Sequence, residues 1–143
     1  MNIQFALNPP KNIKDLIYKG LRAFNHKHFP NEDISSFACF AESEIGEIVG
    51  GLTGELLFNK TLFIEFFWIE ESTRDTGVGT MLMETVEQQA ESMGITGLYL
   101  DTYSFQALPF YLKLGFEEVG RYKNFPVDGV DKIFLQKMLN KSG

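Results

Sequence analysis

Two stretches of this chain combine residue types and spacing that can do chemistry. In the first, Arg74-Asp75-Thr76-Gly77-Val78-Gly79 joins an apolar run at 62–69 to a segment with apolar positions Val78, Met81, Leu82, Val86, Ala90 and Met93. Those spacings of three and four predict an amphipathic helix, and the run before it a buried strand. A glycine-rich turn between strand and helix leaves the first-turn N–H groups without helical partners, at the end where the dipole favours negative charge. Gly77 and Gly79 carry no Cβ, so a phosphate can approach the backbone closely. The turn therefore reads as a diphosphate cradle, although the same spacing also serves tight packing of a helix on a sheet. The second stretch is Phe63-Ile64-Glu65-Phe66-Phe67-Trp68. A carboxylate inside such a run is costly unless it lines a wet cleft or pairs with a basic residue on the next strand. In a cleft Glu65 is a candidate general base; in a pair it is structural. Strand alternation puts it on the side of Phe67 and Ile69.

Two familiar phosphate motifs are missing. There is no Gly-x-x-x-x-Gly-Lys-Ser/Thr, and Met81-Leu82 stand where the third glycine of a dinucleotide fingerprint belongs, which disfavours a nucleotide-binding module. With its leading arginine, the turn instead resembles the acyl-coenzyme A site of the GNAT acetyltransferase superfamily, Arg/Gln-x-x-Gly-x-Gly/Ala, through Arg74, Gly77 and Gly79. Downstream, Ala107-Leu108-Pro109-Phe110-Tyr111-Leu112-Lys113-Leu114-Gly115-Phe116 is similar to that family's Ala-x-x-Phe-Tyr-x-x-x-Gly-Phe segment. The resemblance spans residues 48–138 and is weakest at the N-terminus.

The resemblance implies a mixed α/β (α+β) fold in a single domain, 1–143. Its central sheet would have about seven mostly antiparallel strands, splayed open midway for the cofactor and flanked by helices. It implies acetyl-CoA as cosubstrate, no metal, and direct attack by a primary amine in a ternary complex. The backbone of Arg74, Asp75, Thr76, Gly77, Val78, Gly79 and Thr80 would hold the diphosphate, with the Arg74 side chain and Thr80 hydroxyl adding contacts. Phe67 and Ile69 would pair with the pantetheine arm as an added strand does. The Phe67 N–H would face the thioester oxygen, a role worth roughly 3–4 kcal/mol. Tyr111 would stand beside the sulfur as general acid, unless it is only a core aromatic, and Glu65 would be the base. Ser104 occupies a position where many relatives place a cofactor-binding asparagine. Asp101 and Tyr103 are secondary acid/base or substrate contacts. Asp75, Thr76 and Val78 include no basic residue, which predicts modest cofactor affinity. Phe66, Trp68, Tyr103 and residues 26–29 suggest an aromatic and acidic pocket for a small-molecule amine or a peptide amino group. A GNAT-fold sensor or scaffold that binds acyl-CoA without turnover is the alternative.

Charge and composition narrow the partners. A net charge of −6, from 19 acidic and 13 basic residues, disfavours nucleic acid and suits a cationic substrate. No apolar run is long enough to span a bilayer, and the N-terminus lacks signal-peptide character, so no membrane is expected and the chain reads as cytoplasmic, a monomer or homodimer. Cys39 is the lone cysteine and reads as an inert core thiol, and the 14 phenylalanines suggest aromatic packing around a core or cleft. His26 and His28 lack ligand-spaced partners.

The elements that must position these residues follow from patterning. Strands are expected at 3–7, 37–42, 47–58, 62–69, 97–103, 116–122 and 132–138. Helices are expected from an Asn12 cap through Phe24, over 78–93, and over 106–114. Glycines Gly50, Gly51 and Gly54 inside one strand predict a bulge or a close backbone contact.

Overall fold

The computed structural model describes residues 1–139. The chain divides into two units, Met1–Glu32 and Asp33–Gly143, and each is taken by itself. In the first, helix α1, Lys11–Asn25, carries the apolar series Ile13, Leu16, Ile17, Leu21 and Phe24. Its cap position is Pro10 and not Asn12, which lies inside the first turn. Proline suits that place because its fixed φ leads into the helix and it has no N–H to leave unpaired. Residues 26–29 form the turn that follows, with His26 as the C-cap. The strand expected at 3–7 is not formed. A short alternating run closed by Pro9-Pro10 finds no ladder partner, and an unpaired strand has no hydrogen bonds to hold it.

Among the described residues the second unit has six strands, not the seven expected for the sheet. They are β1 (Ile34–Glu42), β2 (Ile48–Leu57), β3 (Thr61–Ile69), β4 (Gly97–Tyr103), β5 (Glu117–Tyr122) and β6 (Lys132–Met138). Their order in the sheet is β1-β2-β3-β4-β6-β5, and all neighbours are antiparallel except β3 and β4. That parallel pair follows from the crossover helix α2, Val78–Ser92, since only a long connection returns a chain in the same direction. Leu62 and Ile64 of β3, Leu98 and Leu100 of β4, and Ile133 and Leu135 of β6 are buried with Met83, Val86 and Ala90 of α2. Cys39 is half-buried and packs against this core. None of the helices among the described residues is long and apolar enough to cross a membrane.

Two local features set the geometry of the site. The pairing of β2 with β3 slips between Thr53↔Phe66 and Gly54↔Ile64, so Glu65 is the unmatched residue of a bulge. A Cβ on Gly54 would overlap the Phe63 carbonyl oxygen, which is why glycine stands there. Second, the helix α3, Leu108–Lys113, is shorter than the expected 106–114. Gln106 is diverted to the preceding turn, where its Oε1 accepts from the Tyr103 N–H at 2.9 Å and the Thr102 hydroxyl at 3.1 Å. At the other end of α3, the Lys137 ammonium donates to the Leu114 carbonyl and to Glu87 of α2, each at 2.6 Å. Both ends of α3 are thereby fixed to neighbouring elements.

Candidate active site

Strands β3 and β4 pair over only four rungs, Thr61↔Gly97 to Ile64↔Leu100, and then part. The gap opens into a cleft of about 1170 Å³. Its β3 lip runs from Glu65 to Ile69 and its β4 lip from Asp101 to Tyr103; Phe105, Gln106, Phe110 and Tyr111 continue the wall. Arg74, Asp75, Gly77, Gly79 and Thr80 bring the glycine-rich turn to the same cleft.

The turn does both things its sequence allowed. Gly77 adopts φ +85 and a Cβ there would meet nothing within 4 Å, so it is required by backbone conformation and leaves open space above. Gly79 is a packing glycine: a Cβ would lie 3.0 Å from Ile69 Cδ1 and 3.3 Å from Phe110 Cζ. Asp75 is also left-handed, at φ 62. The Thr76 hydroxyl donates to the Thr73 carbonyl at 2.6 Å, and Arg74 Nε donates to the Ile69 carbonyl at 3.0 Å. These bonds pin the turn to the end of β3. Helical bonding begins with the Met81 N–H to the Gly77 carbonyl at 3.1 Å. None of the amides of residues 75–80, Val78 among them, donates to an acceptor among the described residues. Six consecutive free N–H groups, at a helix N-terminus and beside a guanidinium, form a ready anion site.

The bulge changes the expected facing of Glu65. Simple alternation would align it with Phe67 and Ile69, but the extra residue shifts the phase: Leu62 and Ile64 are buried before the bulge, Phe67 and Ile69 half-buried after it. Glu65 is exposed in the cleft and has no ion pair among the described residues, so the buried pair with a neighbouring strand is not formed.

Phe67 packs edge-on against Phe110 at 5.8 Å and Tyr111 at 6.3 Å between ring centroids. Tyr111 also meets Phe110 and Phe116 edge-on and is only 7% exposed, so it is at once a core aromatic and part of the cleft wall. Burial pushes its phenol up to about 12.

Ser104 is tied to Asp131. Its N–H donates to the Asp131 carbonyl at 2.8 Å, and its hydroxyl accepts from the Asp131 N–H at 3.0 Å. The Asp131 carboxylate accepts from the Asn124 N–H and from Arg121, which together hold it below the usual carboxylate range. Asp101 lies within 3.7 Å of Lys132. Phe105 and Gln106 were not singled out by the sequence. Nothing in their spacing marks them; they enter the cleft because Gln106 folds the β4–α3 turn.

The glycine-rich turn thus sets a strand–turn–helix anion site at the split between the parallel strands β3 and β4. The profile of the acetyltransferase (GNAT) family matches residues 7–116, and the chain belongs to that family. It is 31% identical over 111 residues to blasticidin-S acetyltransferase of Streptomyces morookaense, covering 77% of this chain and 78% of that protein. The crystal structure of an acetyltransferase from Bacillus cereus ATCC 14579 superposes with a TM-score of 0.85 at 29% identity, covering 95% of this chain and 98% of that one. An aminoglycoside 6'-N-acetyltransferase complexed with coenzyme A shares the fold, with a TM-score of 0.65 at 21% identity over 99% of this chain and 98% of that one.

Proposed function

We propose that the protein transfers an acetyl group from acetyl-CoA to a primary amine, of a small molecule or a peptide, by direct attack in a ternary complex. The observation that carries this reading is the row of unpartnered amides at residues 75–80 opening into the same cleft as Glu65 and Tyr111. The donor set fits a diphosphate: free N–H groups, the Arg74 guanidinium and the Thr80 hydroxyl surround an open turn. Acetyl-CoA supplies the activated acyl carbon and the thiolate leaving group. Phe67 and Ile69, on the open lip of β3, offer backbone groups to an extended arm, and the Phe67 N–H is the oxyanion donor. Ser104, whose hydroxyl accepts from the Asp131 N–H, keeps its own O–H to donate to the cofactor.

The chain's own groups handle the protons. The amine must lose one before its lone pair attacks, and Glu65, solvated and without an ion pair among the described residues, accepts it directly or through water. As the new C–N bond forms and the C–S bond breaks, the electron pair leaves on sulfur. Tyr111 holds a proton at its phenol oxygen for that sulfur, and burial keeps it protonated across the physiological range. We further read the enzyme as a single domain, needing no metal and located in the cytoplasm where acetyl-CoA is available.

Thiol release from acetyl-CoA across a panel of amines tests this directly. Amine-dependent release, with Tyr111→Phe slowing turnover far more than it weakens CoA binding, is the expected result. Binding of acetyl-CoA without release for any amine would leave a sensor or scaffold in place of an enzyme.

A further inference from the structure

The register of the split puts one acidic residue on each lip of the cleft. Ile64↔Leu100 is the last paired rung, so Glu65 and Asp101 are the first residues beyond it, one on each lip. Paired strands lie about 4.8 Å apart, so the two residues start near that separation and diverge. Both line the cleft, whose one cationic lining residue, Arg74, is bent back to the Ile69 carbonyl by the glycine turn. The inner end of the cleft is therefore acidic, while at its outer end Arg74 stands beside Asp75 and the free amides of the glycine-rich turn.

Asp101 is not a mere anchor for Lys132. A single oxygen, Oδ1, lies 3.7 Å from the ammonium, which also sits 5.6 Å and 5.8 Å from the Phe125 and Phe134 ring centroids. The lysine thus has a seat on two aromatic faces that does not depend on the carboxylate. The Asp101 carboxylate accepts no hydrogen bond within 3.5 Å among the described residues, and its contact with Lys132 is the longest of the ion pairs. Flanking the two carboxylates, Trp68 is 54%, Phe66 67% and Phe105 71% exposed, and Phe105 stacks parallel to Tyr103 at 5.7 Å and 10°. Large aromatic faces held open along an acidic cleft match a flat, cationic body.

We infer that Asp101 selects acceptors carrying a second positive charge beside the reacting amine, with a flat or aromatic body lying along the Trp68 and Tyr103–Phe105 walls. This rests on the acetyl-transfer reading. Glu65 receives the nitrogen that must lose its proton; Asp101 receives the nitrogen that keeps it. One carboxylate would suffice for an acceptor with one amine, and the second lip's carboxylate has no other task in the reaction.

The test compares benzylamine, 4-(hydroxymethyl)benzylamine and 4-(aminomethyl)benzylamine in the acetyl-CoA thiol-release assay. The diamine should exceed both others in kcat/KM by about tenfold, beyond the factor of two from its equivalent amines, as expected for a hydrogen bond to a charged group. Asp101→Asn should erase most of that preference by raising KM for the diamine, and Lys132→Met, which removes the competing ammonium, should increase it. Retention of the acetyl-CoA-induced rise in melting temperature shows that each variant is folded. Acetylation without a diamine preference, or a preference that survives Asp101→Asn, overturns the inference and leaves acetyl transfer standing. Failure of all three amines and of the wider panel to release thiol overturns the acetyl-transfer reading itself.

Discussion

A tyrosine whose phenol titrates near 12 stores a proton and does not act as a base. Tyr111→Phe keeps the aromatic packing with Phe67, Phe110 and Phe116 and removes the hydroxyl that carries the proton, so kcat should fall by about a hundredfold or more with the acetyl-CoA KM little changed. The same shift makes a claim about stability. The folded value, about 12, lies above the ordinary 10, so the contribution is fully present below pH 10 and is lost as pH rises towards 12. A shift of this size corresponds to a few kcal/mol, roughly 1.4 per pH unit, and Tyr111→Phe should flatten that loss when urea midpoints are compared across the window. Glu65→Gln should lower kcat by about a hundredfold while acetyl-CoA still binds; unaltered turnover would remove the carboxylate from the mechanism.

At the scale of elements, the bulge in β3 does the positioning. It leaves Glu65 unmatched and turns the strand so that Phe67 and Ile69, not Phe66 and Trp68, take up the inward phase. Gly54→Ala should therefore destabilise the fold by about 3 kcal/mol, read from the urea midpoint, because its Cβ meets the rigid Phe63 carbonyl. Gly77→Ala should behave differently. Its Cβ has room, so the cost is confined to the left-handed backbone, about 1 kcal/mol, while the cradle loses its shape and acetyl-CoA binding weakens. The glycine turn, the crossover helix and the strands from β1 to β6 were legible because hydrophobic period and turn residues are local signals. The phase of Glu65 was not: a register slip belongs to a pair of strands, and Gly54 was its only trace in one sequence. The absent strand at 3–7 shows the converse, alternation without a partner. Gln106 was read as a helix start because its side chain's capture of the Tyr103 N–H leaves no periodic mark.

For the whole molecule, ligand linkage gives the broadest check. Acetyl-CoA at a hundred times its Kd should add about 2.7 kcal/mol to stability, on the order of 10 °C in Tm for a chain of this size. ATP and NAD at equal concentration should not, since the chain carries neither the P-loop lysine nor the third dinucleotide glycine. The sheet's two halves, β1-β2-β3 and β4-β6-β5, are joined edge to edge by the four rungs between β3 and β4. So short a seam leaves the spacing of the two lips to the few side chains packed beneath it: Leu62, Ile64, Leu98 and Leu100, all buried, stand at the point where the strands part, upstream of every residue of either lip.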